Sequence, residues 1–208
     1  MNYLTPSEYE GHGLEATTPA AWVAAACTLI DAHCRRTSLA VSQYTERLRV
    51  TAGRNTAQLS YLPLVPVAPA VSPIISARGR YAMPRRGESY FDDLSLNLAT
   101  AFSLPGTWTN IDPSGIDLYA ATGELTFPVN PVGLLFSELE VVYTAGFDVL
   151  PEAVKSACAQ IVRNAQATPA LNVRSGHVDR IHLDYFSDTL MDQTVRALLA
   201  PYVAQKVG

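Results

Sequence analysis

Between Leu139 and Cys158 the chain reads LEVVYTAGFDVLPEAVKSAC, an apolar strand that breaks at a glycine and restarts as a helix behind a proline. Val141, Val142 and Tyr143 are β-branched or aromatic, and Gly146 can take the positive φ that ends a strand. Pro151 falls where a first helical turn tolerates a missing N–H. The helix beyond it places Ala153, Val154, Ala157, Cys158, Ile161, Val162 and Ala165 at the three-to-four spacing of a buried stripe, with Glu152, Lys155, Gln160 and Arg163 elsewhere. Twenty residues therefore demand a fold that uses both periods.

The flanks extend that reading. A helix is expected from Pro19, with Thr18 as N-cap, Ala20, Val23, Ala24, Cys27, Ile30 and Cys34 on one face, and Arg35 and Arg36 in the last turn. A last helix should start at a Ser187 or Asp188 cap and end by Pro201. Thr5, Pro6 and Glu8 have the order of a capping box around a short helical turn. From Tyr44 the period changes to two, then AGRN turns the chain and Ala57, Leu59 and Tyr61 alternate again, which reads as a β-hairpin. The prolines of Leu62 to Pro73 favour an extended crossing segment over a central strand, and Ile74 to Ala77 can pair after it. Residues 78–123 read as an insertion or long loop with short strands. Glu124 to Phe127 and Ser137 to Tyr143 read as further strands, and HVDRIHLDY, His177 to Tyr185, as one more. The expectation is an α+β fold, a small helical core (helices near 19–36, 151–167 and 188–200) with a β-rich insertion at about 44–144. All of it is taken as one domain, 1–208, whose C-terminal helix and tail cover 150–208.

At 208 residues the chain can bury a core without staples. Only 16% of its residues are charged and 48% are hydrophobic, a balance that implies surface hidden in an assembly. A net charge of −4 argues against a broad basic face that grips nucleic acid. Cys27, Cys34 and Cys158 are odd in number and lack CxxC spacing, which fits buried small hydrophobes in a reducing compartment. Asn2, Tyr3 and the polar residues after them do not resemble a secretory leader, and no apolar run reaches membrane-spanning length, so no membrane partner is expected.

The chain has no GxxxxGK, HExxH or GxSxG motif. Of the four histidines, His33 adjoins Cys34, but neighbouring helix residues diverge and no second pair completes a site. His177, Asp179, His182 and Asp184 are the residue types of metal and general-base sites. On one continuous strand, however, His177 and Asp179 face opposite to His182 and Asp184. Asp92 and Asp93 are neighbours on a polar loop, which does not make an acid and base pair in space. No catalytic residue, metal ligand or cofactor is assigned. Arg78, Arg80, Arg85 and Arg86, with Tyr81 and Tyr90 nearby, form a basic and aromatic cluster that could touch DNA or line a channel. The glycines and proline among them make a solvated loop the simpler explanation.

Three stretches together resemble the head-tail connector (adaptor, head completion) proteins of tailed bacteriophages. One is the run from IDAHCRR through YTERLRV to YLPLVPV, the second is VVYTAGFDVLPEAVKSAC, and the third is VRALLAPYV at the end. The resemblance covers the flanking two thirds of the chain and leaves 78–123 unmatched. It implies a non-enzymatic structural protein that forms a ring, usually of about twelve copies, on the portal of a filled head. Such a ring extends the DNA channel and meets a tail-side neck or stopper protein, in the virion neck after assembly in the host cytoplasm. Genomic DNA passes through it without specific binding. Portal contact is expected from the C-terminal segment, with Arg174, His177, Arg180, Leu198, Leu199 and Tyr202, and loss of 174–208 should abolish docking without unfolding the core. Two other readings stand beside it. One is a small metal-dependent hydrolase or nucleic-acid-processing enzyme using His177, Asp179, His182 or Asp184; the other is a DNA-binding module built on the arginines.

Overall fold

The computed structural model describes residues 2–50, 54–81, 94–129, 135–167, 175–178, 181–184 and 190–205. In chain order its elements are α1 (Ala20–Cys34), β1 (Ser42–Arg49), β2 (Thr56–Gln58), β3 (Ile74–Tyr81), α2 (Leu94–Ala101), β4 (Trp108–Ile111), β5 (Asp117–Tyr119), β6 (Glu124–Thr126), β7 (Phe136–Ala145), α3 (Glu152–Ala167), β8 (Ser175–Val178), β9 (Ile181–Asp184) and α4 (Gln193–Leu199). Helices and antiparallel sheets together make an α+β fold. The chain divides into a helical unit, Met1–Leu39 with Val149–Val203, and a β unit, Ala40–Asp148 with Ala204–Gly208.

In the helical unit the apolar stripe of α3 does what its spacing dictates, burying Val154, Ala157, Cys158, Ile161 and Val162. Each large aliphatic side chain so removed from water contributes about 1.5–3 kcal/mol. It packs on α1 and α4. On α1 the buried face is Val23, Ala26, Cys27, Ile30 and Cys34, while Ala20 and Ala24 are exposed. Thr18 is not the N-cap. The helix begins one residue later, with Pro19 in the cap position, and the Thr18 hydroxyl is buried. Nor do the two arginines fall in its last turn: Arg35 takes a left-handed conformation at φ 55° and closes the helix through its N–H to Ala32, and the Arg36 N–H bonds to Asp31. The capping turn at Pro6–Glu8 forms as expected, with the Thr5 N–H donating to the Glu8 carboxylate at 2.9 Å. The last helix starts at Asp192, whose carboxylate accepts from the Val195 N–H at 2.8 Å. Ser187 and Asp188, the expected caps, lie outside the described residues.

The stretch HVDRIHLDY is not one strand. β8 and β9 pair antiparallel with His177 opposite His182 and Ser175 opposite Asp184, because an alternating run folds back on itself as readily as it extends. The reading that set those histidines on opposite faces is thereby corrected.

The β unit has a four-stranded sheet in the order β1-β7-β3-β4 and a three-stranded sheet in the order β2-β6-β5. Their inner faces share one core that includes Tyr44, Leu48, Leu59, Leu125, Phe127 and Phe136. The expected hairpin of β1 and β2 does not form. β1 pairs along all eight residues with β7, from Ser42 opposite Ala145 to Arg49 opposite Glu138, and the three residues of β2 pair with β6. The long ladder between distant strands outweighs the short local one. Among the described residues of 78–123, β3 runs on to Tyr81, β4 and β5 are short strands of the kind expected, and α2 is a helix where none is expected from the sequence. Gly79 is required where β3 crosses Phe136, since a Cβ there would lie 2.5 Å from the ring.

Candidate functional site

Strand alternation sends Tyr44, Leu48, Leu139 and Val141 inward and leaves Arg47, Arg49, Glu138, Glu140, Arg78 and Arg80 on the outer face of the four-stranded sheet. The two glutamates sit on the central strand β7, with arginines from β1 on one side and β3 on the other. Arg47 donates to Glu138 Oε2 at 2.6 Å, Arg80 lies 2.6 Å from the same oxygen, and Arg78 lies 2.7 Å from Glu140 Oε1. The Arg47 hydrogen bond, aided by the charges of Arg47, Arg80 and Arg49, lowers the Glu138 pKa. On the neighbouring strand Trp108 completes the cluster, with the guanidinium carbons of Arg47, Arg78 and Arg80 at 5.1, 5.0 and 5.3 Å from its ring centre. Three cations around one indole are held by cation–π attraction and by their carboxylates.

Arg78 and Arg80 thus stand on a strand, in ion pairs, and not on a solvated loop. The cause is the pairing of β3 with β7, which sets each arginine opposite a glutamate. Arg85 and Arg86 lie outside the described residues, as do Tyr90, Asp92 and Asp93. The signal that would have exposed this face is a charge repeat at spacing two: RLR at 47–49, RGR at 78–80 and ELE at 138–140.

A second convergence joins YTERLRV and YLPLVPV to the VVYTAG segment. YTERLRV forms most of β1 and pairs with VVYTA of β7, with Tyr44 opposite Tyr143. The YLPLVPV segment crosses the end of the same strand. Leu64 bridges Ala145, the Thr144 hydroxyl donates to the Val65 carbonyl at 2.6 Å, and the Gly146 N–H donates to the Pro63 carbonyl at 2.9 Å. Gly146 sits at φ 134° with the Ala40 carbonyl where a Cβ would be, so only glycine fits. Beneath the junction Glu46 accepts from the Tyr143 hydroxyl at 2.7 Å and the Ser60 N–H at 2.9 Å. Burial, then the bond to Glu46, pushes the Tyr143 pKa upward. Tyr44 and Tyr61 stack beside it at 4.1 Å. This lock fixes the segment in place.

The helical unit carries its own polar ties. Lys155 reaches Glu8 at 2.6 Å and Glu152 at 3.3 Å. The Lys155 bond, with those from Thr5, lowers the Glu8 pKa to about 2. Tyr3 donates its hydroxyl to Asp31 and accepts from the Leu39 N–H. All three cysteines are buried and free. Burial pushes Cys34 up to about 11, while the bond from the Cys158 thiol lowers Cys27. A shallow apolar cavity of about 290 Å³ opens between α1 and α3, lined by Trp22, Ala25, Leu29, Ile161 and Ala165.

The C-terminal residues separate. Arg174 and Arg180 lie outside the described residues, as does Asp179, and His177 is placed only by its strand register. Leu198 and Tyr202 are half-buried. Leu199 is fully buried, as is Val195, because α4 packs on α3, so Leu199 holds the unit together and offers nothing to a partner. For the same reason removal of 174–208 would strip α4 from the helical unit and would not leave the core intact. Among the described residues no group of three or more His, Cys, Asp or Glu side chains could hold a metal ion, and no helix is long and apolar enough to cross a membrane.

No protein-family model matches the chain, and no curated protein matches it.

Proposed function

We propose that this chain is a structural head-tail connector of a tailed bacteriophage. It acts as a ring that docks on the portal, continues the DNA channel and offers its far side to the next neck or tail protein. The observation that carries the reading is the junction on β7: parts of two of the three stretches of resemblance, YTERLRV with YLPLVPV from the first and VVYTAGF from the second, meet on one strand, which supports reading the likeness as a physical unit. The low charge content and the exposed apolar side chains Trp22, Phe102 and Val149 support an assembling protein. Its work would be mechanical. Portal contact falls to the C-terminal segment, through Arg174, His177, Arg180, Leu198 and Tyr202.

The test is the mass of the full chain alone and mixed with its candidate portal, by light scattering behind a sizing column. A large, discrete assembly, alone or with portal, is the expected result. A monomer under both conditions overturns the proposal.

A further inference from the structure

The two outer faces of the β unit carry opposite charge. On the four-stranded sheet Arg47, Arg49, Arg78 and Arg80 stand against Glu138 and Glu140, a surplus of two positive charges on a chain whose net charge is −4. The two glutamates already hold Arg47, Arg78 and Arg80 in position, yet the Arg47 and Arg78 side chains remain 52% and 46% exposed. On the three-stranded sheet the inward residues are Leu118 and Leu125, so Asp117, Tyr119, Glu124 and Thr126 point away from the shared core. Asp117 and Glu124 are exposed, Tyr119 is 64% exposed, and β2, β5 and β6 contain no lysine or arginine.

We infer that the arginine and tryptophan face of one copy docks on the Asp117, Tyr119 and Glu124 face of a second copy. This inference rests on the ring-forming reading above and names the surfaces that would build the ring. Half-exposed guanidinium arms pre-set around Trp108 suit carboxylates and an aromatic ring on the partner, and Arg, Trp and Tyr are the residues that dominate protein interfaces. Duplex DNA fits this face less well, because Glu138 and Glu140 stand at its centre and the surplus is only two charges. Since the two faces differ, the contact is head-to-tail. Such contacts close into a ring when the rotation between copies divides the circle and otherwise run on as a filament.

The test reverses each face in the full chain, Arg47→Glu with Arg78→Glu on one and Asp117→Lys with Glu124→Lys on the other, and reads mass by light scattering where the wild type assembles. Circular dichroism checks folding, and the milder Arg78→Gln and Glu124→Gln guard against loss of fold. Each reversal is expected to abolish assembly, each milder change to weaken it, an equimolar mixture of the two reversals to assemble again as alternating copies, and a chain carrying both to assemble again. Assembly of both reversed variants as large as wild type overturns the inference and leaves the ring reading standing. A folded, doubly reversed chain that stays monomeric also overturns it. An arginine variant that assembles normally but loses salt-dependent affinity for duplex DNA assigns the face to nucleic acid instead. A wild type that never assembles, with or without portal, removes the ring reading itself.

Discussion

Tyr143, on the central strand of the sheet, donates its hydroxyl to the Glu46 carboxylate at 2.7 Å from a fully buried position. The bond ties the ladder between β1 and β7 to the segment above it, because the same carboxylate oxygen takes the Ser60 N–H and the Tyr143 oxygen takes the Tyr61 N–H. Tyr143→Phe keeps the ring and removes the hydroxyl. It should lower stability by about 1–3 kcal/mol, the cost of unpairing a buried polar group, as read from denaturant midpoints.

Gly79 and Phe136 should behave as a coupled pair. Gly79→Ala drives a methyl group to within 2.5 Å of the ring and should cost about 1–3 kcal/mol. Combining it with Phe136→Ala should destabilise by less than the sum of the two single changes, since the clash disappears with the ring. Equal additivity in a double-mutant cycle would refute the contact.

Acid should loosen the helical unit in a defined window. The folded pKa of Glu8 lies at about 2, below its ordinary value of 4.5, so its ion pair stabilises fully above 4.5 and is lost as pH falls through about 2. Thermal melts of Lys155→Met should show a shallower loss of stability across that window than wild type. Identical acid slopes for the two proteins would contradict this.

Asp192 caps α4 and also accepts from the Asn164 side chain at 3.1 Å, which fixes where the last helix begins. Asp192→Ala should cost about 0.5–2 kcal/mol, while Asp192→Asn or Asp192→Ser should recover most of it. Chemical unfolding of the three variants gives the comparison.

Legibility in the sequence followed the range of the forces involved. α3 could be read from Pro151 and its apolar stripe because both act within a few residues. α2 was hidden because Leu94, Leu96 and Leu98 alternate like a strand, although the backbone there is helical. The hairpin expectation failed at AGRN for a related reason: proximity favoured β2 as the partner of β1, but eight ladder positions with β7 outweigh three local residues. The arginine face lay in plain view as three charge repeats. Its composition was visible, but its assembly depends on Arg47 finding Glu138 across 91 residues, and no local period encodes that.

The β unit begins at Ala40, which forms a parallel bridge with Phe147 one residue before that unit's long segment ends at Asp148. Its first and last residues are therefore neighbours. A segment whose ends meet can change in length or shape without drawing apart the residues that enter and leave it. The bridge, guarded by Gly146, which tolerates no side chain, holds the two ends of this segment together, so the sheets between them form a closed excursion of the chain.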